Sequence, residues 1–526
     1  MLLLLTWGNF LYRHVRSTPP LLIAQQSLRA METAERRLHI DGLERALHVD
    51  GLEQHARGIE RSLELMIERG AAAAGVAASA QAAAAAAGAL DESYHVVFST
   101  GCSEFQDWQS LGVYSSAEAV GQRGVVTRVA SGCTPAQEAA IARAMAHLPR
   151  WARVHFAPNT EVRDHAGQIY KYANKPLGLM HWLLHASPRV PRDATVALID
   201  PDMFFLRPLW HDSFARPGSY LASGAAARPE RAPPAALRRG QMVAQRYGIG
   251  GEPWTRAPGV GGQKAWGLAE YLRAAGRPDS PALAADLDAR GAAGYYSIGA
   301  PYIALAADWL PIATNWTALM PMAVERSFGN LAEMYAMVIA VADLGIRPSV
   351  VDSLMVSNVD AGGEGWAWVD GLPMDRGCDP ATLADGAAPL PTFLHYCQSY
   401  EIAQLKAAAL AEGVGGRGPN GNEGTDERGA FWLFSKYQVP DEILHCPAAD
   451  GAAADGAASA PAASKKKKNM KLDARGFLPE PPRDLAATTT KELRHIFSHC
   501  VATRQTNQAA RDYRRWFCGA PIDPVQ

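Results

Sequence analysis

Asp200 and Asp202, one residue apart in "TVALIDPDMFFLRPL" (195–209), are the residues of this chain best suited to chemistry. They follow a short apolar run and precede Met203, Phe204, Phe205 and Leu206. Carboxylates this close repel, and burying either one is costly unless a positive group neutralises it. A hard divalent cation meets that need. Mg²⁺ or Mn²⁺ takes oxygen ligands and keeps positions open for phosphate oxygens. Such an ion clamps a diphosphate and neutralises the charge that builds on it as it leaves. The alternative is a turn carrying two solvated acids, and the apolar residues on both sides weigh against it.

One rival chemistry also sets D-x-D after a strand. Phosphatases of the haloacid dehalogenase type carry Thr or Val two residues beyond the second Asp, where this chain has Phe204. A nucleophilic-aspartate phosphatase is therefore disfavoured. Glu333, in "LAEMYA", is a second candidate: a carboxylate inside an otherwise apolar helix needs a purpose or a partner. It would either meet a substrate or form a structural salt bridge. Asn174 and Lys175 precede Pro176 at a predicted helix start, which favours anions, and Lys175 adds a point charge. The other reading there is an N-capping Asn beside an exposed Lys. Asp107 and Trp108 in "QDWQ" and Trp366 in "GGEGW" are candidates for donor or acceptor stacking, with buried core as the alternative for each indole.

Strands and helices must position these groups. "YHVVFST" reads as a strand, "DWQSLGVYSSAEAV" as a helix and "GVVTRVA" as a second strand. Thr134, Pro135 and Gln137 form a helix start signal for "TPAQEAAIARAMAHL". "ARVHFA" is a third strand, "NKPLGLMHWLLHA" a helix, and "TVALI" the strand that delivers Asp200. Such alternation predicts an α/β fold, a mostly parallel central sheet flanked by helices, with ligands outside the carboxyl ends of its strands. Residues 211–290 read as a loop-rich insert with short helices. "YIALAADWLPIATNWTALMPMAV" and "LAEMYAMVIAVADLGI" read as helices, and "RPSVVDSLMVSN" as a return to the sheet.

The 526 residues, 48% hydrophobic and 20% charged, suit a globular protein with a sizeable core. A formal net charge of -2 gives no pointer to nucleic acid. Seven cysteines (102, 133, 378, 397, 446, 500, 518) without a C-x-x-C pair argue against structural zinc. Two or three disulfides with a thiol left over fit an oxidising compartment, and a reduced cytosolic protein stays open. Asn315 lies in an N-x-T sequon. Residues 1–90 read as a short hydrophobic start, too brief to span a bilayer, and an Ala-rich helical stem. The catalytic domain is expected over 91–445, with a linker at 411–430. An Ala/Lys-rich disordered linker follows at 446–470 and a charged tail at 471–526.

The stretches "YHVVFSTGCSEFQDWQSLGV", "GVVTRVASGC", "YKYANKPLGLMHWL", "IDPDMFFLRPL", "FGNLAEMYAMVIA" and "FLHYCQSY" occur in one order. Together they resemble the plant and algal hydroxyproline O-arabinosyltransferase and peptidyl serine α-galactosyltransferase group, over roughly residues 94–400. A weaker echo follows at "FWLFSKYQVP". The resemblance implies a GT-A fold and a Mn²⁺- or Mg²⁺-dependent transferase using a UDP-sugar. Its acceptor would be a Ser- or hydroxyproline-rich secretory or cell-wall protein, its location the Golgi or ER lumen, with any membrane association through the amino terminus. Asp200 and Asp202 would hold metal and diphosphate, His395 would supply a further metal ligand, and Ser99 and Thr100 would lie by the nucleotide base. Glu333 would act as general base in an inverting enzyme, or position the sugar in a retaining one. A glycan or small-molecule acceptor, and a non-catalytic secretory scaffold on the same fold, are the competing readings.

Overall fold

The computed structural model describes residues 90–215, 218–222, 232–249, 254, 267–325, 331–384, 389–411, 432–446, 470 and 472–518. The chain divides into two units, Met1–Ala89 and Leu90–Gln526. The expected hydrophobic start and stem lie outside the described residues, as do nearly all of both expected linkers. Among the described residues, no helix is long and apolar enough to cross a membrane.

The first half of the second unit alternates as its sequence pattern predicts. Strand β1 (Tyr94–Thr100) leads to α1 (Glu104–Ala119), β2 (Val125–Ser131), α2 (Pro135–Met145) and β3 (Ala152–Ala157). Then come α3 (Asn174–His185), β4 (Thr195–Ile199) and the short β5 (Met203–Phe205). The capping box at α2 forms as read, with Thr134 and Gln137 bonding each other's backbone N–H. Further on lie β6 (Met242–Arg246), β7 (Ile298–Leu305), α4 (Ala306–Glu325), α5 (Ala332–Asp343), β8 (Ser349–Val351), β9 (Met355–Val356) and β10 (Phe393–His395). The chain closes with β11 (Tyr400–Glu401), β12 (Leu433–Phe434) and α6 (Thr490–Phe517).

The main sheet has the order β3-β2-β1-β4-β7-β6-β8. Every neighbouring pair is parallel except the two made by β7. This is the expected mostly parallel α/β sheet. Strand order reverses between β1 and β4, which opens a crevice at their carboxyl ends. Asp200 and Asp202 follow β4 at that crevice, and Thr100 ends β1 beside it. Two expectations are corrected here. Residues 302–305 of the predicted "YIALAADWL" helix belong to β7, and the loop-rich insert contains a buried sheet strand, β6. Both runs are short and apolar, so hydrophobicity alone does not separate helix from strand.

A second, three-stranded sheet, β5-β10-β9, stands apart from the first. One face of it, Phe204, Val356 and Leu394, joins a separate core with Trp108, Trp366, Tyr396, Tyr400, Phe434 and the apolar face of α6, while Met203, Phe205, Met355 and Phe393 pack into the main core. The segment read as a charged tail is thus partly core: Leu493, Ile496 and Phe497 are fully buried on α6. Cys378–Cys500 and Cys446–Cys518 tie α6 to the body, and Cys102–Cys133 joins the ends of β1 and β2. Cys397 is the free thiol. Gly112 on α1 is needed for close packing, because a Cβ there would come 2.6 Å from the Phe204 ring.

Candidate active site

Antiparallel pairing of β10 with β5 sets His395 opposite Met203, and the Tyr396 amide donates to the Asp202 carbonyl at 3.0 Å. The imidazole therefore lands on the carboxylate pair. His395 Nε2 is 3.3 Å from Asp202 Oδ1 and 3.9 Å from Asp200 Oδ2. One ligand atom from each of Asp200, Asp202 and His395 lies within 4.8 Å of the others, a spacing open to a metal ion. Two carboxylate oxygens and one imidazole nitrogen suit a divalent ion that keeps places for phosphate oxygens.

Two lysines flank the carboxylates. Lys175, at the start of α3, sits between Asp200 Oδ1 at 2.7 Å and Glu333 Oε1 at 3.0 Å. Lys436, in the turn after β12, pairs with Asp202. Burial disfavours the Lys175 ammonium, but the Asp200 and Glu333 carboxylates overcome this and hold its pKa well above the usual value. Burial likewise works against ionised Asp202, yet His395 and Lys436 keep its carboxyl far below the usual range. Burial also opposes the His395 imidazolium, and Cys397 and Asp202 outweigh it. Glu333, only 4% exposed in the first turn of α5, is pushed up by burial, with Lys175 pulling the other way. The Trp316 indole donates to the Glu333 carbonyl at 2.8 Å and fixes that helix start.

Asp200, Asp202, His395, Lys175 and Glu333 thus form one cluster, and the others in the sequence reading do not join it. Asn174 is not a helix cap. Its Oδ1 accepts from the Thr160 amide at 2.6 Å and its Nδ2 donates to Asn159 at 2.9 Å, so it fastens a loop. Thr100 accepts from Arg128 at 2.8 Å, and Arg128 also pairs with Asp107 at 2.7 Å. Ser99 is half-buried at the end of β1. Trp108 and Trp366 are 3% and 2% exposed; Trp108 stacks on Tyr396 and Trp366 donates to Asn358. Neither ring offers an open face for stacking. Asn315 lies on α4, half-buried and bonded to Asp343 and Arg277, which leaves its sequon poorly placed for glycosylation.

Sequence reasoning passed over four residues near the cluster. Lys436 lies 234 residues from Asp202 and carried no local signal beyond the "FSKYQ" echo. The Tyr302 hydroxyl is buried without a hydrogen bond, with Glu333, Lys175 and Asp200 as its charged neighbours. Tyr247 has His395 and Asp200 among its neighbours. Glu364, in the same "GGEGW" as Trp366, accepts from the Ser357 hydroxyl at 2.7 Å. A carboxylate between glycines was the available hint.

The fold and this cluster define an α/β domain with a mostly parallel sheet, as expected of a GT-A fold, and an acidic cluster at the crevice of that sheet whose spacing could hold a cation. Two curated relatives then narrow the likeness. The chain is 34% identical over 125 residues to peptidyl serine alpha-galactosyltransferase of Arabidopsis thaliana, covering 23% of this chain and 14% of that protein. It is 33% identical over 132 residues to the protein of the same name from Chlamydomonas reinhardtii, covering 25% and 16%. The resemblance read from the motifs holds over that stretch, about one-seventh of the relatives' own length. No protein-family model matches the chain. Among solved structures, the bifunctional glycosyltransferase WbbM aligns at 12% identity over 58% of this chain and 46% of its own, with a TM-score of 0.29. The galactosyltransferase LgtC, solved with donor and acceptor sugar analogues, aligns at 13% over 58% and 87%, with a TM-score of 0.28. Similarity at that level leaves the fold assignment to the sheet and crevice themselves.

Proposed function

We propose that this chain is a divalent-metal-dependent glycosyltransferase that moves a sugar from a UDP-sugar to serine or hydroxyproline hydroxyls of secretory or cell-wall proteins. The observation that carries the reading is the convergence of Asp200, Asp202 and His395 at the sheet crevice, with their ligand atoms within 4.8 Å of one another. Their donor set fits Mn²⁺ or Mg²⁺, and these three residues would hold it. Bound there, the ion supplies charge neutralisation for the departing diphosphate. Lys175 holds the Asp200 carboxylate in place through its ion pair, and Glu333 anchors Lys175 from the other side. Lys436 neutralises Asp202 and brings a second cation to the place where diphosphate oxygens would lie.

The relatives' name specifies an α-linked galactose, and transfer from an α-configured nucleotide sugar to an α-product is retention. That favours Glu333 as a positioning residue over a general base, in line with its ion pair to Lys175. Three disulfides support a secretory location, the Golgi or ER lumen.

The test is UDP release across a panel of UDP-sugars with Ser-rich and hydroxyproline-rich peptides, with Mn²⁺ present or chelated. Chelation and Asp202→Asn are each expected to lower turnover at least a hundredfold, with product mass showing one hexose or pentose on the peptide. Transfer to free glycans alone would move the acceptor to the second reading. Undiminished turnover in chelator or in Asp202→Asn would remove the metal mechanism.

A further inference from the structure

A row of aromatic rings runs from the core behind the acidic cluster to the surface beside it. Phe204, two residues beyond Asp202, stacks on Tyr396 with ring centroids 4.2 Å apart, and Tyr396 stacks on Trp108 at 5.7 Å. Trp108 meets Phe105 edge-on at 6.2 Å. Phe105, in the first turn of α1, stacks on Tyr437 at 5.6 Å with the two ring planes 2° apart. Phe204, Tyr396 and Trp108 are buried and Phe105 is half-buried. Tyr437 is 66% exposed, more than any other large apolar side chain among the described residues.

A tyrosine that keeps two-thirds of its surface in water gains little from burial. Its position offers a better reason for it. Phe105 backs the Tyr437 ring, and the residue before it, Lys436, is tied to Asp202 by an ion pair. The Lys436 ammonium nitrogen lies 5.2 Å from the centroid of the Tyr437 ring. The ring is therefore held at the rim of the crevice, between the start of α1 and the acidic cluster. A flat ligand that stacks on a ring already fixed in place gives up less free energy to ordering.

We propose that Tyr437, backed by Phe105, is the stacking platform for the nucleobase of the donor, an inference that rests on the sugar-nucleotide reading of the acidic cluster. In a nucleoside diphosphate one ribose separates the base from the phosphates, and Tyr437 follows directly on the lysine that faces the diphosphate. Stacking tolerates any base, so this ring supplies affinity and leaves the choice of base to hydrogen-bonding groups. A ring of the acceptor peptide is the other flat occupant, and the direct link to Lys436 favours the base.

The experiment measures binding of UDP and of inorganic pyrophosphate to the full chain by calorimetry in Mn²⁺. Tyr437→Ala should weaken UDP about tenfold, the effect of losing one base-stacking contact, and leave pyrophosphate affinity as in the wild type. Tyr437→Phe and Tyr437→Trp should keep the UDP affinity, because the ring face and not the hydroxyl makes the contact. None of the three changes should move the melting temperature, since the position is exposed. Equal losses for UDP and pyrophosphate would show that the substitution acts through Lys436 and would overturn the platform. Wild-type UDP affinity in Tyr437→Ala would overturn it as well, and a fall in peptide affinity alone would hand the ring to the acceptor. The donor reading fails on a different result: a wild-type chain that binds neither UDP nor pyrophosphate in Mn²⁺ removes the donor site, and the platform with it.

Discussion

Replacing Lys175 with Met removes the cation that separates Asp200 from Glu333. At 2.7 and 3.0 Å and an effective dielectric of about 20, the two attractions are each on the order of 6 kcal/mol before desolvation. The net loss is smaller, because Glu333 can take a proton once its partner is gone. Protonating a glutamate of ordinary pKa, about 4.3, costs about 3.7 kcal/mol at pH 7 and about 1 kcal/mol at pH 5. Those figures cap the destabilisation from stranding this buried carboxylate, within the range of about 3–5 kcal/mol for a broken buried pair. The sign follows from linkage. In the variant, burial raises the folded pKa of Glu333 above its unfolded value, so the folded state binds more protons and stability falls as pH rises. At about 2 °C per kcal/mol for a large domain, Lys175→Met should lose about 7 °C in melting temperature at pH 7 and about 2 °C at pH 5. Adding Glu333→Gln should restore most of the loss at pH 7, a coupling read from the double-mutant cycle. An equal loss at both pH values, with no rescue by Glu333→Gln, would refute the reasoning.

Three further outcomes are expected. Gly112→Ala forces a Cβ into the Phe204 ring and should destabilise by about 1–2 kcal/mol in denaturant melts, overpacking outweighing the gain in helix propensity; unchanged stability would mean that β5 shifts freely. Opening Cys446–Cys518, which spans 72 residues, by a paired Cys→Ser change should cost about 4 kcal/mol or less and raise proteolysis of the α6 segment; full protection would show that packing alone holds the helix. Asp352 is pushed up to about 6 by burial, against the pull of Arg246, and its Oδ1 has no hydrogen bond. Its raised folded pKa weakens the fold as pH rises from about 4 to 6. Asp352→Asn should therefore gain about 1 kcal/mol at pH 7 after allowance for partial exposure, and nothing near pH 4. A gain that does not vary with pH would point to another cause.

Local sequence pattern determined much of this protein. Each strand from β1 to β4 is a short apolar run bounded by turn residues, and each of α1 to α3 carries its helical spacing. The period of side-chain burial is a property of a dozen consecutive residues, so it survives without any knowledge of the fold. The placement of Asp200 and Asp202 at a strand end follows from the same runs. Strand β6 and the start of β7 escaped because their residues fit either state, and only pairing within the sheet decided between them.

The site itself was legible only in part. That Asp202 needs a cation is elementary electrostatics and needed only two neighbouring residues. Which groups provide the surrounding charge depends on contacts between distant segments. The β5–β10 pairing delivers His395, the β11–β12 pairing leads to Lys436, and the packing of α3 near α5 lets Lys175 bridge to Glu333. Asn174 and Lys175 show the division most sharply. Adjacent in sequence and read together as one anion-facing corner, they part company in the fold, one fastening a loop and the other bridging two carboxylates. The reason is physical: a side chain's chemical type is written in its own residue, whereas its partner is chosen by chain segments that meet only when the core is packed.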